Sequence, residues 1–159
     1  MSRIDISISS QELVFNDEIN SNISRYSIAT ARNGAGEQSG SECTPRGKHV
    51  IRAKIGAGCP VNTVFVGRRP TGEIYSPELK QQFPDRDWIL TRILWLSGCE
   101  VGFNRLGNVD TMRRYIYIHS TPDSVSMGIP ASHGCILMRH ADIIELFDCV
   151  AVGTIVNIT

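Results

Sequence analysis

A rhythm of short apolar or alternating runs, broken by turn-forming clusters, constrains the fold of this chain more than any other feature. RIDISIS, QELVF, ISRYSIATA, KHVIRAKI, VNTVFVG, DWILTRILWL, RRYIYIH and TIVNI follow one another from end to end. Between them lie NGAGEQSGSECTPRG (33–47), GAGCP and GRRPTGE, rich in the residues that turns require. Period-two alternation sends one set of side chains inward and the other toward solvent, so each run reads as a strand. The pattern predicts a mainly antiparallel β domain.

One segment departs from that rhythm. In HADIIELFDCV the apolar residues Ile143, Leu146, Phe147 and Val150 recur at i, i+3, i+4 and i+7, which predicts one amphipathic helix with Gly153 just past its end. The chain has 159 residues, enough to bury roughly 68–70% of its unfolded surface in one domain. No internal repeat, low-complexity tract or linker divides it, so a single domain over 1–159 is expected.

Charge narrows the partners. Lys+Arg 16 balances Asp+Glu 16, which disfavours nucleic acid and anionic membranes as partners. Thirteen of the cations are Arg, whose planar fork matches carboxylates two bonds at a time, and a carboxylate-bearing ligand is one reading of that bias. The N-terminal MSRIDISISSQELVF alternates and has no continuous apolar core, so it reads as a strand and not a signal peptide. No run is long enough to span a membrane. The expected location is the cytoplasm, or the periplasm if an export segment precedes this sequence. Five cysteines without a CxxC pair fit reduced thiols in a reducing compartment.

The loop at 33–47 is Gly-rich, yet it lacks both common phosphate-binding patterns and runs into a strand. It reads as a ligand-facing flap or a plain connection. His49 and His140 read as surface or capping residues.

The chemistry concentrates in ASHGCILMR, Ala131 to Arg139. A cysteine attacks as thiolate, and at an ordinary pKa of about 8.5 only a few per cent is ionised near neutrality. A nucleophilic Cys135 therefore needs a histidine within reach, itself oriented by a third group. His133 stands two residues away, which makes direct side-chain contact awkward, whereas His119 ends RRYIYIH sixteen residues upstream and is free to fold onto it. Alternation puts Ile116 and Ile118 on one face and Tyr115, Tyr117 and His119 on the other, like the wall of a site. Gly134 permits a sharp turn that converges backbone N–H groups on one point, the requirement for stabilising an acyl-transfer oxyanion. A metal reading uses the same atoms, with His119, His133 and Cys135 as three ligands, although HExxH and CxxC spacings are missing. A buried, inert thiol is the third reading.

IHST (118–121), followed by SMG and SHGC (132–135), resembles the signature of L,D-transpeptidases, the YkuD-type catalytic domain of bacterial peptidoglycan metabolism. TPRGKHVI (44–51) and DIIELFDCVAVGTIVNI extend the resemblance over nearly the whole chain. It implies a mainly β, YkuD-like β-sandwich catalytic domain with one or two short helices. It further implies Cys135 as the acyl-accepting nucleophile, His119 as its base, and Ser120 as the residue whose carbonyl orients that base. Ser132, His133 and Gly134 match the stretch that shapes the oxyanion pocket, with N–H groups near Gly134 and Cys135 as donors. Tyr117 and Arg139 are the further substrate-facing candidates, and no metal or other cofactor is implied. In one respect the chain departs from the pattern: Leu137 stands where relatives carry Arg or Asn, and Arg139 is the candidate substitute.

The reaction implied is attack on the L-centre carbonyl of the third stem-peptide residue with loss of D-Ala. Passing the acyl group to water gives an L,D-carboxypeptidase, and passing it to an amine gives a 3-3 cross-link or an exchanged D-amino acid. The expected role is a cytoplasmic L,D-carboxypeptidase in murein recycling, acting on stem peptides or muropeptides and open to carbapenem-type inhibitors. Arg113 and Arg139 are the candidate carboxylate partners. A fragment-binding domain with little turnover is the alternative that Leu137 keeps open.

Overall fold

In the computed structural model, which describes residues 1–159, ten strands form one sheet. They are β1 (Arg3–Ser7), β2 (Glu12–Asp17), β3 (Asn22–Ser27), β4 (Gly47–Ile55), β5 (Thr63–Val66), β6 (Arg69–Ile74), β7 (Ile89–Gly98), β8 (Tyr117–Ser120), β9 (Ile136–Met138) and β10 (Ile155–Ile158). The strand order is β3-β2-β1-β10-β4-β7-β5-β6, and β8 branches from β7 to carry β9. Most pairs are antiparallel, but β1–β10 and β8–β9 are parallel.

The sheet curls so that its β1–β3 arm and the β8–β9 branch share one core. Ile4 and Ile6 of β1, Leu94 and Leu96 of β7, and Ile118 of β8 with Ile136 of β9 all join one cluster of 19 buried residues. Helix α2 (His140–Cys149) covers that core through Ile143, Leu146 and Phe147, the stripe that the spacing predicts, with Val150 beneath its end. Burial of each of those side chains is worth roughly 1.5–3 kcal/mol, which is why so short a helix persists.

Three local details differ from the pattern. A second helix, α1 (Pro77–Gln82), begins at Ser76, whose hydroxyl accepts the Leu79 N–H, with Pro at the first helical position. GRRPTGE is mostly strand: the turn proper is Gly67–Arg68, both at positive φ, and β6 follows as an exposed edge where Pro70 is tolerated. RRYIYIH is strand only from Tyr117, because the Asp110 carboxylate accepts the Arg113 N–H and winds 110–115 into turns.

His49 is fully buried in β4, contrary to the surface reading. Its Nδ1–H donates to the Gly47 carbonyl at 3.0 Å, which leaves Nε2 to accept from the Thr111 hydroxyl at 2.9 Å. Burial pushes its pKa down to about 4. The unfolded chain then takes up a proton near pH 6.5 that the folded chain refuses until about pH 4, so stability is full above that window and falls on acidification through it. The expected loss from this residue is roughly 3 kcal/mol. Urea melts at pH 7 and pH 4 measure it, and His49→Gln is expected to flatten the dependence; equal slopes for the two proteins would refute the assignment.

Candidate active site

Parallel pairing of β8 with β9 builds the site. The register sets Ile118 opposite Ile136 and His119 opposite Leu137. Paired residues on parallel strands share a face, so Ile118, Ile136 and Met138 enter the core while Tyr117, His119 and Leu137 face the other way. Cys135, one residue ahead of β9, joins that outer face. All four line a cavity of about 660 Å³ together with Ser132 and His133.

The turn before Cys135 is held from two sides. The Ser132 hydroxyl donates to the Cys135 carbonyl at 2.6 Å and accepts the Gly134 N–H at 3.1 Å. From the 33–47 loop, the Thr44 hydroxyl donates to the Gly134 carbonyl at 2.9 Å, while the same oxygen accepts the Ala31 N–H. Arg114 anchors that loop by donating to the Cys43 carbonyl at 2.7 Å. The loop therefore braces the cysteine turn; the hairpin tip at Gly67–Arg68 is what overhangs the cavity.

His119 is buried, and its Nδ1–H donates to the Ser120 carbonyl at 2.6 Å. That bond fixes the tautomer and leaves the Nε2 lone pair free. Burial pushes the imidazole below its ordinary pKa, against the Ser120 carbonyl and Asp87, which favour the cation. The ring is a neutral base at neutral pH.

The Cys135 thiol is pushed up to about 12 by burial, with Asp87 adding to the rise and the Tyr117 N–H and Arg114 opposing it. Its two hydrogen bonds run from the Tyr117 N–H (3.3 Å) and to the Tyr115 carbonyl (3.5 Å), and neither involves the imidazole. With the thiol raised and the imidazole lowered, the resting pair is neutral at pH 7. The Gly134 N–H is already engaged by Ser132, whereas the Cys135 N–H has no acceptor within the chain. Of the two amides flanking this turn, only that of Cys135 is therefore free to donate to a bound group.

Arg139 does not reach the site. Strand β9 ends at Met138, and the chain turns into α2 with Arg139 exposed at its N-cap, so alternation no longer applies to it. Arg113 is likewise exposed in the turn before β8 and does not line the cavity. The place beside His119 belongs to Leu137, which is buried and keeps the imidazole dry. The cations that line the cavity are Arg32, Arg68, Arg86, Arg114 and Lys80, against one carboxylate, Asp87. Arg68 reaches the Tyr117 hydroxyl at 3.1 Å and stacks on Trp95 and Tyr115 at 4.5 and 5.0 Å. No local motif marks these arginines; only the excess of Arg over Lys hinted at them. His119, His133 and Cys135 do not gather into a cluster able to hold a metal ion.

His140 also differs from its reading as a surface or capping residue. Its Nδ1 lies 2.7 Å from the Ser120 hydroxyl and 2.8 Å from that of Thr91, and it makes no cap bond.

Solved structures share this architecture. A Mycobacterium smegmatis L,D-transpeptidase superposes with a TM-score of 0.56 at 19% identity, covering 99% of this chain and 58% of that one. The L,D-transpeptidase LdtMt1 in complex with imipenem gives 0.58 at 20% identity, covering 99% and 58%. L,D-transpeptidase 3 from Mycobacterium tuberculosis, in complex with a faropenem-derived adduct, gives 0.60 at 16%, covering 99% and 60%. This chain thus spans about three-fifths of the length of each. No curated protein matches it by sequence. The model of the YkuD family, the L,D-transpeptidase catalytic domain, matches residues 1–158. With that match over nearly every residue, the chain belongs to the YkuD family of L,D-transpeptidase catalytic domains.

Proposed function

We propose that this domain is a cysteine acyl-transfer enzyme of peptidoglycan metabolism that uses Cys135 to cleave the L,D-bond before the terminal D-Ala of stem tetrapeptides and passes the acyl group to water. The observation that carries this reading is the shared face of β8 and β9, which presents a neutral, oriented imidazole and a thiol to one arginine-lined cavity. His119 Nε2 takes the thiol proton as Sγ attacks the carbonyl carbon, and the developing oxyanion meets the free Cys135 N–H. The C–N bond then breaks, and the imidazolium returns the proton to the leaving D-Ala amine. Water, deprotonated by the same imidazole, attacks the thioester; the C–S bond breaks, the tripeptide leaves, and the imidazolium returns the proton to the Cys135 sulfur.

Charge favours hydrolysis over cross-linking. Arg86 is paired with Glu73 at 2.7 Å, and the remaining guanidinium groups of Arg32, Arg68 and Arg114 attract a stem peptide dense in carboxylates, oppose an alkylammonium acceptor and leave neutral water unaffected. All five cysteines are free, which suits a reducing compartment and supports placing the activity in the cytoplasm on recycled fragments.

The test supplies disaccharide tetrapeptide to the protein and follows D-Ala and tripeptide by mass spectrometry. Tripeptide as the main product supports the reading, and cross-linked or D-amino-acid-exchanged product would reassign it to transpeptidation. Fragment binding with no turnover and no carbapenem adduct on Cys135 would make it a binding domain. Within this reading, Arg68→Ala is expected to raise KM about tenfold with kcat changed less than threefold, because a charge-assisted contact to a substrate carboxylate is lost away from the reacting atoms. Steady-state kinetics check it.

A further inference from the structure

His140 touches neither Cys135 nor the main cavity, yet its ring is built into the back of the site. The Ser120 hydroxyl is fully buried and donates its single proton to the Leu90 carbonyl at 2.9 Å. Its oxygen also lies 2.7 Å from His140 Nδ1. With the hydroxyl proton spent, that contact is attractive only if Nδ1 carries a hydrogen, so His140 is the donor to Ser120. The same Nδ1 faces the Thr91 hydroxyl at 2.8 Å.

Both acceptors sit where the backbone is under constraint. Thr91 is β-branched at φ +73 in the bulge of β7 between Leu90 and Ile93, a conformation that persists only when its surroundings hold it. Leu90 pairs with Ser120 across β7–β8, and the Ser120 carbonyl carries the His119 ring at 2.6 Å. One imidazole at the start of α2 thus ties the bulge of β7 to the residue that aims the base. On its far side, Nε2 faces the Asp123 carboxylate at 3.6 Å, on the wall of a second cavity that also holds Asn62 and Lys80.

We propose that His140 is a positioning residue for His119, acting through the Ser120 hydroxyl to fix the carbonyl that orients the base. The proposal rests on the reading of His119 as the base of Cys135. Proton removal from a thiol depends steeply on the direction of the accepting lone pair, so a ring freed to swing loses rate and not substrate affinity.

The test uses alkylation of Cys135 by neutral iodoacetamide, followed by mass spectrometry, which needs no knowledge of the substrate. His140→Ala is expected to slow alkylation about tenfold at pH 7.5. His140→Asn, whose amide N–H can stand where Nδ1–H stood, is expected to restore the rate to within about threefold, and the longer His140→Gln is not. Ser120→Ala is expected to slow alkylation similarly, and the double variant to be no slower than the slower single one. On peptide substrate, kcat falls with KM unchanged. Should His140→Ala fold poorly, the Asn and Gln variants carry the comparison by themselves. Alkylation at the wild-type rate in His140→Ala or His140→Gln, or multiplying effects in the double variant, overturns the proposal. Alkylation at the wild-type rate in His119→Ala instead overturns the base assignment on which it stands.

Discussion

Cys135→Ala is expected to lose D-Ala release by about 10⁴-fold or more while melting close to wild type. In the proposed mechanism the Cys135 sulfur carries the acyl intermediate, and removing a covalent nucleophile costs far more than removing a binding contact. What survives is whatever the arginines and the Cys135 N–H do for uncatalysed attack by water. Stability is little affected because the thiol's two hydrogen bonds are long, at 3.3 and 3.5 Å. A second readout makes the result specific: a carbapenem should add its mass to the wild-type protein at Cys135 and not to the variant. Undiminished turnover, or an adduct that persists in the variant, would remove Cys135 from the chemistry.

The second large effect is expected at Gly134→Ala. Gly134 sits at φ +134, outside the range that L side chains adopt, and a Cβ there would lie 2.9 Å from Ile116 Cδ1 and 3.2 Å from the Cys43 carbonyl. Neither neighbour can yield readily: Ile116 belongs to the main core, and the Cys43 carbonyl is held by Arg114. Backbone strain and overpacking of this kind cost about 1–3 kcal/mol each. The turn must move, and with it the sulfur and the free N–H of the next residue. Turnover is expected to fall about 100-fold, since a shift near 1 Å at reacting atoms costs that much. Gly128→Ala serves as control, because Gly128 also has positive φ (+89) but open space around its added Cβ. Wild-type kcat in Gly134→Ala, read beside the two melting curves, would show that the turn does not set the nucleophile.

Much of the framework was legible because it depends on local periodicity. The runs in β1, β4 and β7 alternate or stay apolar as half-buried and buried strands do, and the α2 stripe names its own buried face. The alternation of Tyr117 and His119 against Ile118 is legible too, and in the fold those two residues line one cavity with Cys135 while Ile118 enters the core. The misread residues share a cause. Arg139 is two residues from Leu137 in sequence, but the strand stops at Met138 and the helix N-cap carries it away from the cavity. His49 and His140 were judged by their neighbours in sequence, whereas their partners, Thr111, Thr91 and Ser120, lie 62, 49 and 20 residues away. The cavity arginines come from four separate segments, so no spacing rule could gather them.

The sequence by itself determined which residues can do chemistry here and which face of each strand they occupy, because side-chain type and period-two geometry are local properties. Only the tertiary structure decided how reactive they are. Burial raises the thiol and lowers the imidazole, Ser132 takes the Gly134 N–H and leaves that of Cys135 free, and four arginines converge on one opening. Those are effects of dielectric and distance, and both are set by parts of the chain that meet only when it folds.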